Sequence, residues 1–216
     1  MSVISSDLYH RNRYTLGGIF VPLMKYAGSG GLRFIESSVL IQIPELEVTS
    51  MPNLETFVQR AVEQGALAAK VIEPGSIVTA PWVRLKCQFG CGRYGKSHCC
   101  PPKTPTPSEM QSVIDCYTRG LLIHCRGKAN PTKIVVKLEK EIFLSGFYKA
   151  LGFGAGPCRL CKECGEDGCL HSELARPAME ACGIDVYATA HNNGYPIEVL
   201  KDKSCEGNYF GLVLIE

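Results

Sequence analysis

Four cysteines fall within one short run, Cys158-Arg-Leu-Cys161-Lys-Glu-Cys164-Gly-Glu-Asp-Gly-Cys169. Iron–sulfur clusters take thiolate ligands, typically four for a [4Fe–4S] cube, and two-residue gaps let one tight loop wrap several corners of it. Cys158, Cys161 and Cys164 have that C-x2-C-x2-C form. Cys169 follows after four residues, not the usual three before a proline, so it either completes this cluster or reaches another. Gly165 and Gly168 would let the backbone turn close to sulfide. Structural zinc is the rival. Its four-cysteine sites usually use two C-x2-C knuckles separated by a dozen or more residues. Here all four thiols share one loop, which suits a cube better.

A second group precedes it: Cys87-Gln-Phe-Gly-Cys91-Gly-Arg-Tyr-Gly-Lys-Ser-His-Cys99-Cys100-Pro-Pro. Cys87 and Cys91 form a C-x3-C pair on which a later thiol can close. Adjacent cysteines point their side chains apart, so only one of Cys99 and Cys100 is expected to serve a given metal. Cys100 is favoured because the prolines after it hold it rigidly; Cys99 is expected to pack. Three ligands result. Cys99, Cys125, Cys182, Cys205, His98 or a substrate could supply the fourth. A radical S-adenosylmethionine loop would need C-x3-C-x2-C, which puts Tyr94 where the third cysteine belongs, so that class is set aside.

The same segment formally matches the phosphate-cradling loop G-x4-G-K-[ST] from Gly90 to Ser97. That chemistry needs a helix directly after Ser97, its N-terminus facing phosphate. Pro101 and Pro102 stop a helix there, so the segment reads as a cysteine loop with turn glycines. Lys86, Arg93, Lys96, His98 and Lys103 make it basic. They would either attract an anionic substrate or acidic electron-transfer partner or offset the charge of bound thiolates. Arg159 and Lys162 read the same way.

Other candidates have plain structural readings. His124 lies in an apolar run as a core histidine. His171 is expected on an exposed loop. Cys116 shares a helix side with Val113 and is expected to be buried. Cys182 stands near a helix end at Gly183, and Glu180 and Asp185 look like ordinary polar residues. No serine nucleophile elbow and no convincing carboxylate pair appear.

Composition narrows the class. The 216 residues are 45% hydrophobic, enough for one ordinary core. A net charge of +2 gives no reason to expect a nucleic-acid partner. No apolar run is long enough for a membrane span, and the first residues show no secretion signal. Twelve cysteines in such a chain point to metal or redox chemistry in a reducing cytoplasm, not to disulfides.

The elements that must position these groups follow from pattern. A helix is expected from about Leu54 to Lys70, capped by Asn53, with Gly65 weakening its second half. Thr106-Pro107-Ser108-Glu109 is a capping box that opens a helix ending near Gly120. Leu121 to Cys125 reads as a buried strand. Asn130-Pro131 opens the longest helix, to about Leu151, followed by a turn through Pro157. Arg176-Pro177 starts a short helix that ends near Gly183. Val186 to Ala190 and Phe210 to Leu214 read as strands, as does an apolar run within 37–46, and Gly28 to Gly31 as a loop. The expected fold is α/β, a mixed sheet with flanking helices and cysteine-rich metal-binding loops. Residues 1–80 would form an N-terminal α/β segment packed on a cysteine-rich iron–sulfur domain of residues 81–216.

Trp82, Lys86-Cys87, Cys91, Tyr94-Gly95-Lys96 and Cys100-Pro101-Pro102 form one recognisable set. Gly156 through Cys161, with Cys164 and Cys169, forms another. With Arg176 to Glu180, Gly183 to Val186 and Tyr209 to Leu214, the region of about residues 80–216 resembles the predicted metal-binding proteins of domain of unknown function 2284. The resemblance implies a prokaryotic, often anaerobic, metal protein with iron–sulfur content, and no particular reaction. It implies no fixed cysteine at Cys99, Cys182 or Cys205. The expected function is a protein with one or two [4Fe–4S] clusters that passes electrons to a redox protein partner. The alternatives are an enzyme with an open-site cluster held by three cysteines, or a zinc-stabilised interaction module.

Overall fold

Five helices and four strands build the described part of the chain, residues 53–202 and 204–216 of a computed structural model. The expected strand within 37–46 and the loop at Gly28 to Gly31 lie outside the described residues. In chain order the elements are α1 (Glu55–Glu63), β1 (Ala68–Ile72), α2 (Pro81–Gly90), α3 (Pro107–Ile114), β2 (Gly120–Arg126), α4 (Pro131–Leu144), β3 (Leu151–Phe153), a 3-10 turn (Glu180–Cys182), α5 (Val186–Asn192) and β4 (Asn208–Leu214). The chain is therefore α/β, with helices flanking one sheet. The sheet order is β1-β2-β4-β3, and every ladder is antiparallel.

Alternation along the two central strands sorts their side chains onto two buried faces. Leu121, Ile123, Cys125 and Val213 pack with Phe57 and Ala61 of α1 and Ile134, Val135, Leu138 and Ile142 of α4. Leu122, Phe210, Leu212 and Leu214 pack with Met110 and Ile114 of α3, with Met179, Cys182 and Ile184, and with Val186 and Ala190 of α5. The cysteine loops rise from the edge of this second layer. His124 is a satisfied core histidine: it stacks on Phe210 at 4.7 Å and its Nε2 donates to Asn208 Oδ1 at 2.9 Å.

Several elements form as their sequences predict. Thr106 N–H donates to Glu109 Oε2 at 2.7 Å and Glu109 N–H returns to Thr106 Oγ1 at 3.3 Å, a complete capping box. Asn53 and Asn130 accept backbone N–H groups at the starts of α1 and α4. Leu121 to Cys125 and Phe210 to Leu214 are strands.

Four expectations are corrected. The helix expected to reach Lys70 stops at Glu63. Gly65 adopts φ +100°, and the residues beyond it pair with β2, Ala68 facing His124; ladder pairing overrides helix propensity there. The helix expected to reach Leu151 stops at Leu144. Ser145 Oγ donates to the Glu141 carbonyl at 2.8 Å, Gly146 turns at φ +103°, and Leu151–Phe153 becomes edge strand β3. The strand expected at Val186 to Ala190 is helix α5. Asp185 Oδ1 caps it by accepting Ala188 N–H at 3.0 Å, and Val186 and Ala190 share its buried face. Helix α3 ends at Ile114 and not near Gly120, which instead begins β2, and Cys116 is exposed, its thiol donating to the Ser112 carbonyl at 3.3 Å.

Among the described residues no helix is long and apolar enough to cross a membrane. Gly183 closes the 3-10 turn at φ +81°, and a Cβ there would stand 2.5 Å from Pro107 Cγ. Gly183→Ala is therefore expected to cost about 1–3 kcal/mol, since both a left-handed backbone and a ring contact oppose it. A urea midpoint within error of the parent would show that neither constraint operates.

Candidate metal centre

Helix α2 carries the first thiol. Proline at its first position presets the helical φ, and the helix presents Trp82, Lys86 and Cys87 toward one cavity. Cys91 follows at once, its N–H donating to the Cys87 carbonyl at 3.3 Å. The chain then doubles back: Gly95, at φ +72°, donates its N–H to the Pro101 carbonyl at 3.0 Å. Buried Ser97 organises the turn. Its hydroxyl donates to Cys100 Sγ at 3.2 Å and accepts Cys99 N–H at 3.2 Å. No helix follows Ser97, so the phosphate-loop context is absent. Arg84 holds the outgoing strand by donating to the carbonyls of Thr104 at 3.0 Å and Pro105 at 2.5 Å.

Cys87, Cys91 and Cys100 line one cavity. Burial first, then Glu180, Cys91 and Cys100, push the Cys87 thiol above its ordinary value, while Arg84 opposes them. Cys87 Sγ also lies 4.0 Å from the Glu180 carbonyl oxygen. Glu180 had the pattern of an ordinary polar residue. It instead lines the cavity with the three thiols, and burial raises its carboxyl. Its signal was its place directly after Arg176-Pro177-Ala178-Met179, within the set of residues that carry the family resemblance.

The second group occupies the loop between β3 and the 3-10 turn. Gly165 lies so near the Gly168 carbonyl that a Cβ would sit 2.7 Å from it. Partial burial and then Cys164, Cys158 and Cys169 push the Cys161 thiol up. Arg176 moors the far end of the loop: its Nε donates to Glu139 of α4 at 2.5 Å, and its Nη1 donates to the carbonyls of Ser172 and Ala175. His171 sits 3.8 Å from Glu173 on this loop, as expected for a surface histidine.

The two loops meet at His98 and Cys99. Cys99 and Cys100 both line the first cavity with Cys87 and Cys91, and Cys99 also feels the thiols of the second loop. Burial, Cys158 and Cys169 push the Cys99 thiol up to about 12. His98 Nε2 donates to the Gly165 carbonyl at 2.8 Å and pins the loops together. Cys99, expected to pack, is half-buried, and Cys158 and Cys169 both act on it. No spacing rule signals that, because the contact spans loops far apart in sequence.

Cys182 is fully buried in the core, Cys125 likewise, and Cys205 is exposed. Burial pushes the Cys182 thiol up to about 12 and that of Cys125 to about 11. Both should resist iodoacetamide in the folded, metal-free chain at pH 8 and react only on unfolding. The sign of the linkage follows. A thiol raised on folding adds stability that is complete below its unfolded value near 9 and lost as pH climbs toward 11–12. The metal-free chain should lose urea resistance above pH 9. Rapid alkylation of either thiol at pH 8 would contradict the burial described.

The candidate donors are all thiols: Cys87, Cys91 and Cys100 in one group, Cys158, Cys161, Cys164 and Cys169 in the other, and Cys99 near both. His98 is engaged with a carbonyl. This chemistry suits a thiophilic metal or an iron–sulfur cluster, not a hard cation. Among the described residues no three or more His, Cys, Asp or Glu side chains gather closely enough to hold a single metal ion. The thiols feel one another without meeting at one point.

A helix-flanked antiparallel sheet with two neighbouring thiol-rich loops defines a cysteine-rich α/β protein of metal-binding character. The chain belongs to the family described as predicted metal-binding protein (DUF2284), whose model matches residues 70–215. No curated protein and no solved structure matches it.

Proposed function

We propose that the chain is an iron–sulfur electron-transfer protein with two [4Fe–4S] centres. Cys158, Cys161, Cys164 and Cys169 would hold one, and Cys87, Cys91 and Cys100 would hold three corners of the other. When bound, such clusters supply one-electron chemistry. The carrying observation is His98 of the first loop, whose Nε2 donates to the Gly165 carbonyl at 2.8 Å and so ties the first thiol loop to the second.

The chain's own residues would set the environment. Ser97 donates to Cys100 sulfur, a contact that stabilises charge on a thiolate. Lys86, Arg93 and Lys96 surround the first loop with positive charge. The four thiols of the second group share one short loop, which suits a cube better than the separated knuckles usual for zinc.

The test is purification under nitrogen with iron, acid-labile sulfide and zinc measured per chain, followed by a redox titration. About eight iron and eight sulfide, reducible in one-electron steps, is the expected result. Stoichiometric zinc without sulfide would replace this reading with a structural one.

A second reading rests on the cavity itself. The three first-group thiols and Glu180 open onto about 320 Å³ walled by Trp82, Tyr94 and Tyr187. A centre with three protein ligands facing such a space can bind a small molecule at its fourth iron. A spectrum altered by added sulfide or cyanide would favour that enzyme reading; an unresponsive spectrum would count against it.

A further inference from the structure

On the far side of Gly156-Pro157 from that cavity lies a groove of about 730 Å³, and those two residues line both. Its wall includes Cys158 of the second group. Five cations line it: Lys128, Lys133, Lys137, Arg159 and Arg176. No aspartate or glutamate does. Arg176 is committed to Glu139, but the other four form no ion pair among the described residues. Lys128, Lys133, Lys137 and Arg159 are exposed. Between the cations sit Leu160, Leu174 and Tyr209, each more than 40% exposed.

A group of apolar side chains ringed by like charge is built for transient contact with a surface of opposite charge. The apolar centre gives adhesion, and the ring gives encounter rate and orientation. Cations needed only to offset thiolates would cluster on the thiols. Lys133 and Lys137 instead stand a helical turn apart on the outer face of α4, away from both cysteine loops in sequence. The negative residues of the second loop, Glu163, Glu166 and Asp167, do not line the groove.

We infer that this groove docks a small acidic electron-carrier protein, seated against Cys158-Arg159-Leu160. The inference rests on the electron-transfer reading above and adds the point of entry. A cluster held by Cys158, Cys161, Cys164 and Cys169 would supply one-electron chemistry, taking the single electron a reduced carrier gives up, with no bond formed and no proton transferred. The first group then lies on the exit side with its cavity. The basic first loop, the other candidate for such a partner, is thereby assigned to charge balance.

The test uses the full metal-loaded chain, with a plant-type [2Fe–2S] ferredoxin as the acidic probe, titrated by calorimetry at low and high salt. Lys133→Glu with Lys137→Glu is compared with Lys96→Glu with Lys103→Glu. Both α4 positions are exposed, so the reversals remove no buried packing; melting curves check the fold. The α4 pair is expected to weaken binding at least tenfold and flatten its salt dependence, while the loop pair changes it little. The reverse ranking overturns the proposal, and so does a parent chain with full cluster content that binds no ferredoxin. A parent chain without iron and sulfide sinks the electron-transfer reading instead, so the two failures are told apart. Binding that survives both charge reversals and high salt also overturns the proposal, since it would not depend on the groove's charge.

Discussion

Cys100→Ser should remove about half of the iron and sulfide from the anaerobically prepared protein, and Cys161→Ser should remove the other half. Cys100 is buried beside Cys87 and Cys91, whereas Cys161 answers to Cys158, Cys164 and Cys169. Each substitution therefore strikes one group. A built-in reporter tells them apart. The only tryptophan of the chain, Trp82, lines the first group's cavity. Its emission should be quenched in the loaded protein, recover in Cys100→Ser, and stay quenched in Cys161→Ser. Complete loss of iron in both variants would mean one shared centre across the two loops. Unchanged iron in both would leave neither group as a ligand set.

Phe210→Ala should cost about 3–5 kcal/mol, the range for removing a large aromatic side chain from a packed core. Phe210 is 2% exposed on central strand β4. Its ring stacks on His124 at 4.7 Å and meets Tyr195 edge-on at 5.5 Å. Its removal would leave a void under Met179 and Ile184, which support the residues behind Cys87. The urea midpoint at fixed metal content should fall well below the parent's. A loss under about 1 kcal/mol would mean that the layer collapses to fill the space.

The cysteine groups, the capping box at Thr106 and the central strands were legible because each depends on residues close together in sequence. The errors share a cause. Lys70, Leu151 and Val186 lie in short apolar stretches where helix and strand patterns agree, and only distant partners decide between them. Ala68–Ile72 becomes a strand because β2 supplies its ladder. Val186 becomes helical because Asp185 caps it. Gly65 and Gly146 marked the true helix ends, but a glycine in a periodic run is weaker evidence than the turn it makes. Seven cysteines were named from spacing; the bond of His98 to Gly165 and the approach of Glu180 to Cys87 were not legible, because they arise only when separate loops are packed together.

The placement of β4 has a consequence for timing. It lies between β2 and β3 in the sheet, yet follows both cysteine groups in the chain. Synthesis proceeds from the N-terminal side, so every thiol of both loops is made before the strand that completes the layer beneath them. Until β4 inserts, β2 and β3 are not joined within the sheet, and the layer beneath the cysteine loops is incomplete. The nascent chain thus passes through a period in which its eight clustered thiols are free, close together and unprotected. Any protection from oxidation that these thiols need is therefore needed most in that period of assembly.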